Sequence, residues 1–252
     1  MSTLSAFGLQ GIPEVRAGDD LAALIFAALD GRDLAAGEIV AIAHTVVSKA
    51  EGAAVALGDV SPGERARTLA AEWERDPRAI QVVLDQSAEV LREARGVLIS
   101  RTHHGFVCAN AGVDASNVGA AETVLVLPRN PDASARAIRA RLGELLGHPP
   151  PAVLITDSFG RAWRHGQVDV AIGLAGLAPL DDWRGRTDAD GLSLRATWLA
   201  VADAAAASAD LARAKDSGEP VVILSGLERF CSAADGPGAL ELLRSLEEDL
   251  FR

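Results

Sequence analysis

The chain has 252 residues, of which 49 % are hydrophobic, and its 35 acidic and 24 basic side chains give a formal net charge of −11. This length suits one large domain or two smaller ones with a core that needs no disulfide or zinc. The negative charge argues against nonspecific nucleic-acid binding, and no apolar run approaches the roughly 20 residues that span a membrane. Because the N-terminus also lacks a signal-peptide pattern, we expect a cytoplasmic protein that binds neither nucleic acid nor membrane.

Capping residues, prolines and apolar runs predict helices and strands along the whole chain. The first half carries a helix from Asp19 or Asp20 to Leu29, a buried strand at 38–43, a helix with capping-box spacing at Ser61 to Glu64, and a helix over 76–94. The second half carries strands at 97–100, 123–127, 152–156, 168–172, 196–201 and 221–224, and helices over 130–146 and 202–209. The alternation is too irregular for a doubly wound sheet and indicates an α+β fold. The proline-rich connection at 147–151 is stiff and suggests a boundary between two lobes.

Two segments with polar side chains follow predicted strands in the first half of the chain. Lys49 is one of only two lysines and is either a phosphate-neutralising cation or a solvated loop residue. Further along, Asn110, Asp114, Ser116 and Asn117 crowd one turn. Their oxygens suit Mg²⁺ or Mn²⁺, although spacing alone favours a turn in which they bond their own backbone.

A third polar segment follows the strand predicted at 152–156. Thr156, Asp157 and Ser158 end this strand, a pattern typical of a metal ligand at the mouth of a sheet or of a helix cap. Arg161 and Arg164 come next in a cationic cluster that suits a carboxylate or phosphate, or is ordinary surface charge. No P-loop, dinucleotide fingerprint or nucleophile elbow is present. Cys108 and Cys231 are too few for a metal cluster, and we expect reduced, packed thiols.

Taken in order, these segments resemble the coenzyme F420-0:L-glutamate ligase family. The similarity covers residues 9–15 with 18–20, 44–52, 110–118 and 156–161 and continues at 171–173, 182–185 and 201–203. It implies a two-lobed, dimer-forming α+β fold over residues 1–252. We expect no nitroreductase-like domain after this unit, which acts alone or within a longer protein. It also implies a GTP-dependent enzyme that joins L-glutamate to F420-0 through an acyl phosphate and adds further γ-linked glutamate, in deazaflavin coenzyme biosynthesis.

The resemblance also implies roles for individual residues. Asp114 and Asp157 would hold Mg²⁺ or Mn²⁺, with Ser158 near a second ion and K⁺ as a further cofactor. Lys49, with Asp114 and Asp157, would be catalytic. The nucleotide would contact Ile12, Pro13, Glu14, Val15, His44, Thr45, Lys49, Asn117 and Lys215. The other substrates would meet Asn110, Ser116, Arg161 and Arg164.

Three positions depart from the family pattern. Lys215 stands where relatives often place an acidic metal ligand, Ala204 stands where an acid is common, and Ser225 stands where arginine is frequent. These departures keep two alternatives open. One is a noncatalytic deazaflavin- or nucleotide-binding homologue, and the other is an amide ligase with a different acceptor.

Overall fold

A computed structural model describes residues 3–115, 122–214 and 217–249. Helices and strands are mixed along the chain, which confirms the predicted α+β class, whereas the two lobes and the dimer stay predictions. The helices are α1 (Leu21–Ala28), α2 (His44–Ala50), α3 (Glu64–Trp73), α4 (Pro77–Asp85), α5 (Pro131–Leu146) and α6 (Val201–Ala212). Within the described ranges, no helix is both long and apolar enough to cross a membrane.

Twelve strands form four sheets in the described part of the chain. They are β1 (Ser5–Gly8), β2 (Ile39–Ala43), β3 (Ala54–Ala56), β4 (Ser87–Ala94), β5 (Val97–Thr102), β6 (Val107–Ala109), β7 (Thr123–Leu125), β8 (Ala152–Arg161), β9 (Arg164–Ala175), β10 (Leu180–Asp182), β11 (Trp198–Ala200) and β12 (Val221–Ser225). The largest sheet has the order β1-β12-β2-β8-β9. In it β2 and β8 run parallel, and the other neighbours are antiparallel.

The central strands of this sheet are buried on both faces because helices cover each side. On one face α1, α2 and α5 pack against residues such as Val40, Ile42, Val153 and Ile155. On the other face the alanine-rich α6 packs against Ile39, Ala41, Leu154 and their neighbours. Successive residues of a strand point to opposite faces. The near-continuous apolar runs of β2 and β8 therefore supply two cores at once.

Local capping explains where several helices begin. The Asp20 carboxylate accepts from the Ala23 amide at 3.0 Å, and the Asn130 side chain accepts from the Ala133 amide at 3.0 Å, so α1 and α5 begin as predicted. Gly147 closes α5 in the left-handed conformation with φ 73°. The capping box predicted at Ser61 is wrong, because Gly63 is the N-cap of α3 and makes no side-chain bond.

The helix predicted over 76–94 is wrong in its second half. The helix α4 begins after Asp76 as predicted but ends at Asp85, and residues 87–94 form β4. Arg95 and Gly96 both have positive φ and make a two-residue hairpin turn, so that Ala94 pairs with Val97. Strand pairing with β5 thus overrides the helix propensity of a segment rich in Ala, Glu, Leu and Arg.

Most predicted strands differ by one or two residues at an end, and the strands predicted at 152–156, 168–172 and 196–201 differ more. The strands predicted at 152–156 and 168–172 are parts of a long hairpin, since β8 continues to Arg161 and β9 begins at Arg164. The strand predicted at 196–201 is shorter, because α6 begins at Val201. The connection at 147–151 joins α5 to β8, and Leu142 and Val153 on either side of it lie in one apolar cluster.

Asp132 ties the start of α5 to two distant segments. Its Oδ1 accepts from the Leu174 amide at 2.9 Å and from the Ala239 amide at 2.8 Å, and the residue is 6 % exposed. We expect Asp132→Ala to lower the free energy of unfolding by about 3 kcal/mol, since two buried bonds to a charged group are lost. In a chain of this size that lowers Tm by about 10 °C. Thermal unfolding followed by circular dichroism measures the change.

Asp59→Ala is the matched control for Asp132→Ala, because Asp59 is exposed. We expect the control to leave Tm within about 1 °C of wild type, as surface changes usually do. Equal Tm values for the two variants would contradict the structural role of Asp132.

Candidate active site

A cavity of about 1000 Å³ lies beside the carboxyl ends of β2 and β8. Among the described residues, its wall comes from 12–15, α2 and the residue before it, 108–114, the middle of β8, the neighbouring part of β9, and residues 213–214 and 218–220. The structure brings together in this wall eleven residues expected from the sequence. They are Ile12, Pro13, Glu14, Val15, His44, Thr45, Lys49, Asn110, Asp114, Asp157 and Ser158.

His44 and Asp157 meet because of the parallel register of β2 and β8. Ala43 pairs with Thr156, so the residues that follow them, His44 and Asp157, lie side by side. His44 Nε2 is 3.3 Å from Asp157 Oδ1, and the imidazole is buried. Asp157 Oδ1 also accepts from the Ser158 amide at 2.7 Å. These contacts hold the Asp157 carboxylate in one orientation at the cavity wall.

Lys49 reaches the cavity from the last turn of α2. Its Nζ forms an ion pair with Glu14 Oε1 at 2.6 Å. The Lys49 side chain is 14 % exposed, whereas that of Glu14 is 64 % exposed. The lysine is therefore largely buried and its partner carboxylate largely exposed, so Glu14 is the member of the pair that an anionic ligand can displace.

Asn110 and Asp114 lie on the opposite wall, after β6. The Asp114 amide donates to the Leu125 carbonyl at 2.9 Å, and the Leu125 amide donates to the Asp114 carbonyl at 2.8 Å. This isolated pairing places the Asp114 carboxylate on the cavity wall. The Asn110 Oδ1 accepts from the Leu98 amide at 3.1 Å, so this side chain braces the turn against β5. The turn itself uses left-handed backbone at Asn110 and Ala111.

A second polar cluster joins Thr156 and Ser158 to Asp169 and Arg213, two residues that sequence reasoning missed. Asp169 stands opposite Ser158 in the β8–β9 hairpin and is 2 % exposed. Its carboxylate accepts from Ser158 Oγ at 2.6 Å and from Thr156 Oγ1 at 2.8 Å. Arg213 Nη1 donates to the same carboxylate at 3.1 Å. We call Thr156, Ser158, Asp169 and Arg213 the Asp169 cluster, and all four line the cavity.

Arg213 is held in this cluster at an electrostatic cost. Burial lowers the pKa of its guanidinium, and the charges of Asp169 and Asp210 oppose that shift. Among the described residues, Arg213 Nε and Nη2 are buried without a hydrogen-bond partner. Each such donor costs about 1–3 kcal/mol. The sequence signal that was available is an arginine within the polar stretch that follows α6.

Other residues expected at the site lie elsewhere or outside the described ranges. Arg161 and Arg164 are at the tip of the β8–β9 hairpin and do not line the cavity. Arg161 Nη2 donates instead to the His165 carbonyl at 2.6 Å. Ser116, Asn117 and Lys215 lie outside the described residues.

The residues present fit a hard divalent cation. Asp114 and Asp157 bring carboxylate oxygens to the cavity, and the Ser158 hydroxyl, which donates to Asp169, lines the same cavity. Oxygen donors of this kind suit Mg²⁺ or Mn²⁺, which retain water and share their remaining positions with phosphate. Within residues 3–115, 122–214 and 217–249, no three His, Cys, Asp or Glu side chains are grouped to hold a metal by themselves.

Comparison with known proteins identifies the family of the chain. The family model described as F420-0:Gamma-glutamyl ligase matches residues 10–226. The chain belongs to the F420-0:γ-glutamyl ligase family. Among relatives of this family, the "Coenzyme F420:L-glutamate ligase" of Methanothermobacter thermautotrophicus is 44 % identical over 99 % of both chains. A protein of the same description from Methanopyrus kandleri is 42 % identical over 100 % of both chains. One from Halobacterium salinarum is 43 % identical over 99 % of this chain and 96 % of its own.

Two of the residues that depart from the ligase family pattern, Ala204 and Ser225, lie outside the cavity wall. Ala204 is exposed on α6, whereas its neighbour Asp203 accepts from the Ala171 amide at 2.9 Å where β9 bulges. Burial raises the pKa of Asp203. Ser225 ends β12 and donates to Glu38 Oε1 at 2.8 Å. Neither Ala204 nor Ser225 lines the cavity.

Cys108 lines the cavity without being a reactive thiol. Burial and the nearby charge of Asp157 raise the pKa of Cys108 to about 12, and burial raises the pKa of Cys231 to about 11. Because the thiolate is the nucleophile, we expect iodoacetamide at pH 8 to alkylate both residues at least 100-fold more slowly in the native protein than in guanidinium chloride. Intact-protein mass spectrometry over time measures the rates. Rapid native labelling of either cysteine would contradict the burial seen here.

Proposed function

We propose that this chain is a GTP-dependent ligase that joins L-glutamate to coenzyme F420-0 and adds further γ-linked glutamate, in the biosynthesis of coenzyme F420. The observation that carries the proposal is the cavity whose wall includes His44, Lys49, Asp114 and Asp157 from three separate segments. Full-length similarity to proteins described as coenzyme F420:L-glutamate ligases supports the choice of substrates. The volume, at the upper end of ligand-site volumes, accommodates a nucleotide together with a second ligand.

The proposed reaction has two steps, phosphorylation of the acceptor carboxylate and formation of the amide bond. A carboxylate is a poor electrophile, so the acceptor carboxylate first attacks the γ-phosphorus of GTP, which gives an acyl phosphate and GDP. The amine of L-glutamate then attacks the acyl carbon, an amide bond forms, and phosphate leaves with loss of one proton from the nitrogen. Catalysis of such phosphoryl transfer rests on positioning and on neutralising charge.

The residues of the chain have distinct parts in this proposal. Lys49 binds nucleotide phosphate as a point charge once Glu14 is displaced. Asp114 and Asp157 hold Mg²⁺ or Mn²⁺, with Ser158 beside them, and His44 fixes the Asp157 carboxylate. When bound, the divalent ion neutralises phosphate charge. Ile12 to Val15 and Thr45 form the wall against the nucleotide. The expected K⁺, the cytoplasmic location and the homodimer stay predictions.

The test is a ligation assay with F420-0, GTP, MnCl₂ and L-glutamate, read by mass spectrometry of the deazaflavin product. We expect the product to gain one or more glutamyl units, with one GDP formed for each. Omitting GTP or replacing it by ATP should abolish or strongly reduce the gain. The variant Asp114→Asn, which keeps the shape of the side chain, is the matched control for site-dependent product.

Two results would contradict this proposal and favour one of the two alternative functions. Deazaflavin binding without any mass gain under Mg²⁺ or Mn²⁺ indicates a noncatalytic binding homologue. GDP formation that requires glutamate and a carboxylate acceptor other than F420-0 indicates an amide ligase with another acceptor.

A further inference from the structure

The proposed reaction gives no part to Asp169, a buried carboxylate in the cavity wall. It is 2 % exposed and lies in β9 opposite Ser158 of β8. Ser158 Oγ donates to its Oδ1 at 2.6 Å, while Thr156 Oγ1 at 2.8 Å and Arg213 Nη1 at 3.1 Å donate to its Oδ2. Three donors around one carboxyl group are the pattern of an ionised carboxylate, which can only accept.

The contacts of Asp169 fix the direction of the hydrogen bond that each hydroxyl makes. A serine or threonine hydroxyl has one proton, and a carboxylate can only accept it. With its proton held by Asp169 Oδ1, the Ser158 oxygen meets any further group as an acceptor. Thr156 is an example, because its Oγ1 donates to Oδ2 and lies 3.4 Å from the cationic Nη1 of Arg213. Asp169 thus makes both hydroxyl oxygens acceptors for positive charge.

Ser158 is the hydroxyl that adjoins a proposed cation ligand. The neighbouring Asp157 carboxylate lines the same cavity and accepts from the Ser158 amide at 2.7 Å. Ser158 is therefore held through its amide by Asp157 and through its hydroxyl by Asp169. The register of the β8–β9 hairpin, in which Ser158 pairs with Asp169, keeps the two side chains adjacent. A ligand oxygen that is oriented in advance loses less entropy when an ion binds.

We propose that Asp169 is a positioning residue for the divalent cation of this cavity. By accepting the hydroxyl proton of Ser158, it turns the serine oxygen toward Mg²⁺ or Mn²⁺ as an acceptor, in the way that residues behind metal ligands set their orientation. Asp169 acts through Ser158 and does not itself hold the ion. The inference rests on the proposed function for the presence of the ion, and it adds to that function a residue of β9.

Asp169→Asn is expected to reverse the hydrogen bond to Ser158. The amide has the shape of the carboxylate but offers one acceptor oxygen and one donor NH₂ group. Thr156 and Arg213 both donate on the Oδ2 side, so the amide oxygen takes that side and the NH₂ group faces Ser158. The serine oxygen then accepts from the amide, and its proton opposes a cation.

The experiment is titration of the whole chain with MnCl₂ at saturating GDP, in which electron paramagnetic resonance measures free Mn²⁺ and GDP without protein is the blank. We expect Asp169→Asn to raise the Kd for Mn²⁺ about 10- to 100-fold and Ser158→Ala to raise it about 10-fold. Added to Ser158→Ala, the Asp169→Asn change should raise the Kd by less than about 2-fold more, because Asp169 acts through the serine hydroxyl.

Asp132→Asn is the matched control, because Asp132 is also a buried acceptor but does not line the cavity. We expect this variant to have a lower Tm and the wild-type Kd for Mn²⁺. Thermal unfolding of every variant separates lost binding from lost folding. If Asp169→Asn does not fold, Asp169→Glu replaces it, since it keeps the charge opposite Arg213 and moves the carboxylate by one methylene. The same comparison with and without Ser158→Ala then decides.

Three results would overturn the proposal. The first is an unchanged Kd for Mn²⁺ in a folded Asp169 variant, and the second is a wild-type chain that binds no Mn²⁺. The third is an equal rise in Kd with and without Ser158→Ala, which would show that Asp169 acts on the ion by its charge or by direct contact.

The titration needs no turnover, so it is independent of the ligation assay. A wild-type chain that forms no glutamyl product but loses Mn²⁺ affinity through Asp169 and Ser158 as expected would disprove the proposed function and support the role of Asp169. Normal ligation by wild type, with an unchanged Kd for Mn²⁺ in Asp169→Asn, would do the reverse.

Discussion

Asp157→Asn is expected to lower the rate of glutamate ligation about 1000-fold while the protein stays folded. The substitution keeps the size of the side chain but removes the negative charge that lies 3.3 Å from His44 Nε2 and faces the cavity. A carboxylate that holds a divalent ion beside transferring phosphate accounts for several kcal/mol of transition-state stabilisation. Steady-state rates with saturating GTP and F420-0 measure the loss.

Nucleotide binding gives a second readout for Asp157→Asn. In wild type we expect MnCl₂ to tighten GDP binding, and in the variant we expect this metal effect to be greatly reduced. Asp59→Asn, on an exposed turn, is the matched control and should behave as wild type. A near-normal rate in Asp157→Asn would remove Asp157 from the catalytic set.

Lys49→Ala is expected to raise the Kd for GTP about 100-fold. The ammonium lies at the cavity wall, is held by the fold, and has the exposed Glu14 as its partner at 2.6 Å. A hydrogen bond between charged groups contributes about 1.5–3 kcal/mol, and phosphate offers more charge than the carboxylate that it displaces. Titration calorimetry with GTP, in the absence of F420-0 so that no turnover occurs, measures the affinity.

Glu14→Gln separates the two members of this pair. It leaves Lys49 without an ion pair in the ligand-free protein, so GTP no longer competes with the carboxylate, and we expect binding up to about 5-fold tighter than in wild type. Arg67→Ala, an exposed cation distant from the cavity, is the control for a simple change of net charge. An unchanged GTP affinity in Lys49→Ala would show that Lys49 is a solvated cation, the alternative left open by the sequence.

Much of the site was predictable because its residues carry local signals. Asp157 follows an apolar strand, and Lys49 follows another within a polar segment, so both stand out in a linear sequence. Asp20 and Asn130 likewise begin helices through bonds to residues three positions away. Such short-range chemistry is visible without a structure.

The missed features depend on contacts between distant segments. Asp169 became a site residue through the hairpin register that sets it opposite Ser158, and Arg213 joined it from the far end of α6. The segment 87–94 has the composition of a helix, yet its pairing with β5 makes it a strand. Neither the register of a long hairpin nor the choice between a helix and a paired strand is fixed by composition alone.

The parallel pairing of β2 with β8 has a consequence for how the enzyme acquires its activity. His44 and Asp157 become neighbours only after Ala43 has aligned with Thr156, and this pairing closes a loop of more than 100 residues (156 − 43 = 113 positions). Contacts between such distant parts of a chain form late, because the entropy of closing a long loop is lost before the contact stabilises anything. During refolding, native-like helix content should therefore precede ligase activity, and the candidate site around His44 and Asp157 should be among the last parts of the molecule to be completed.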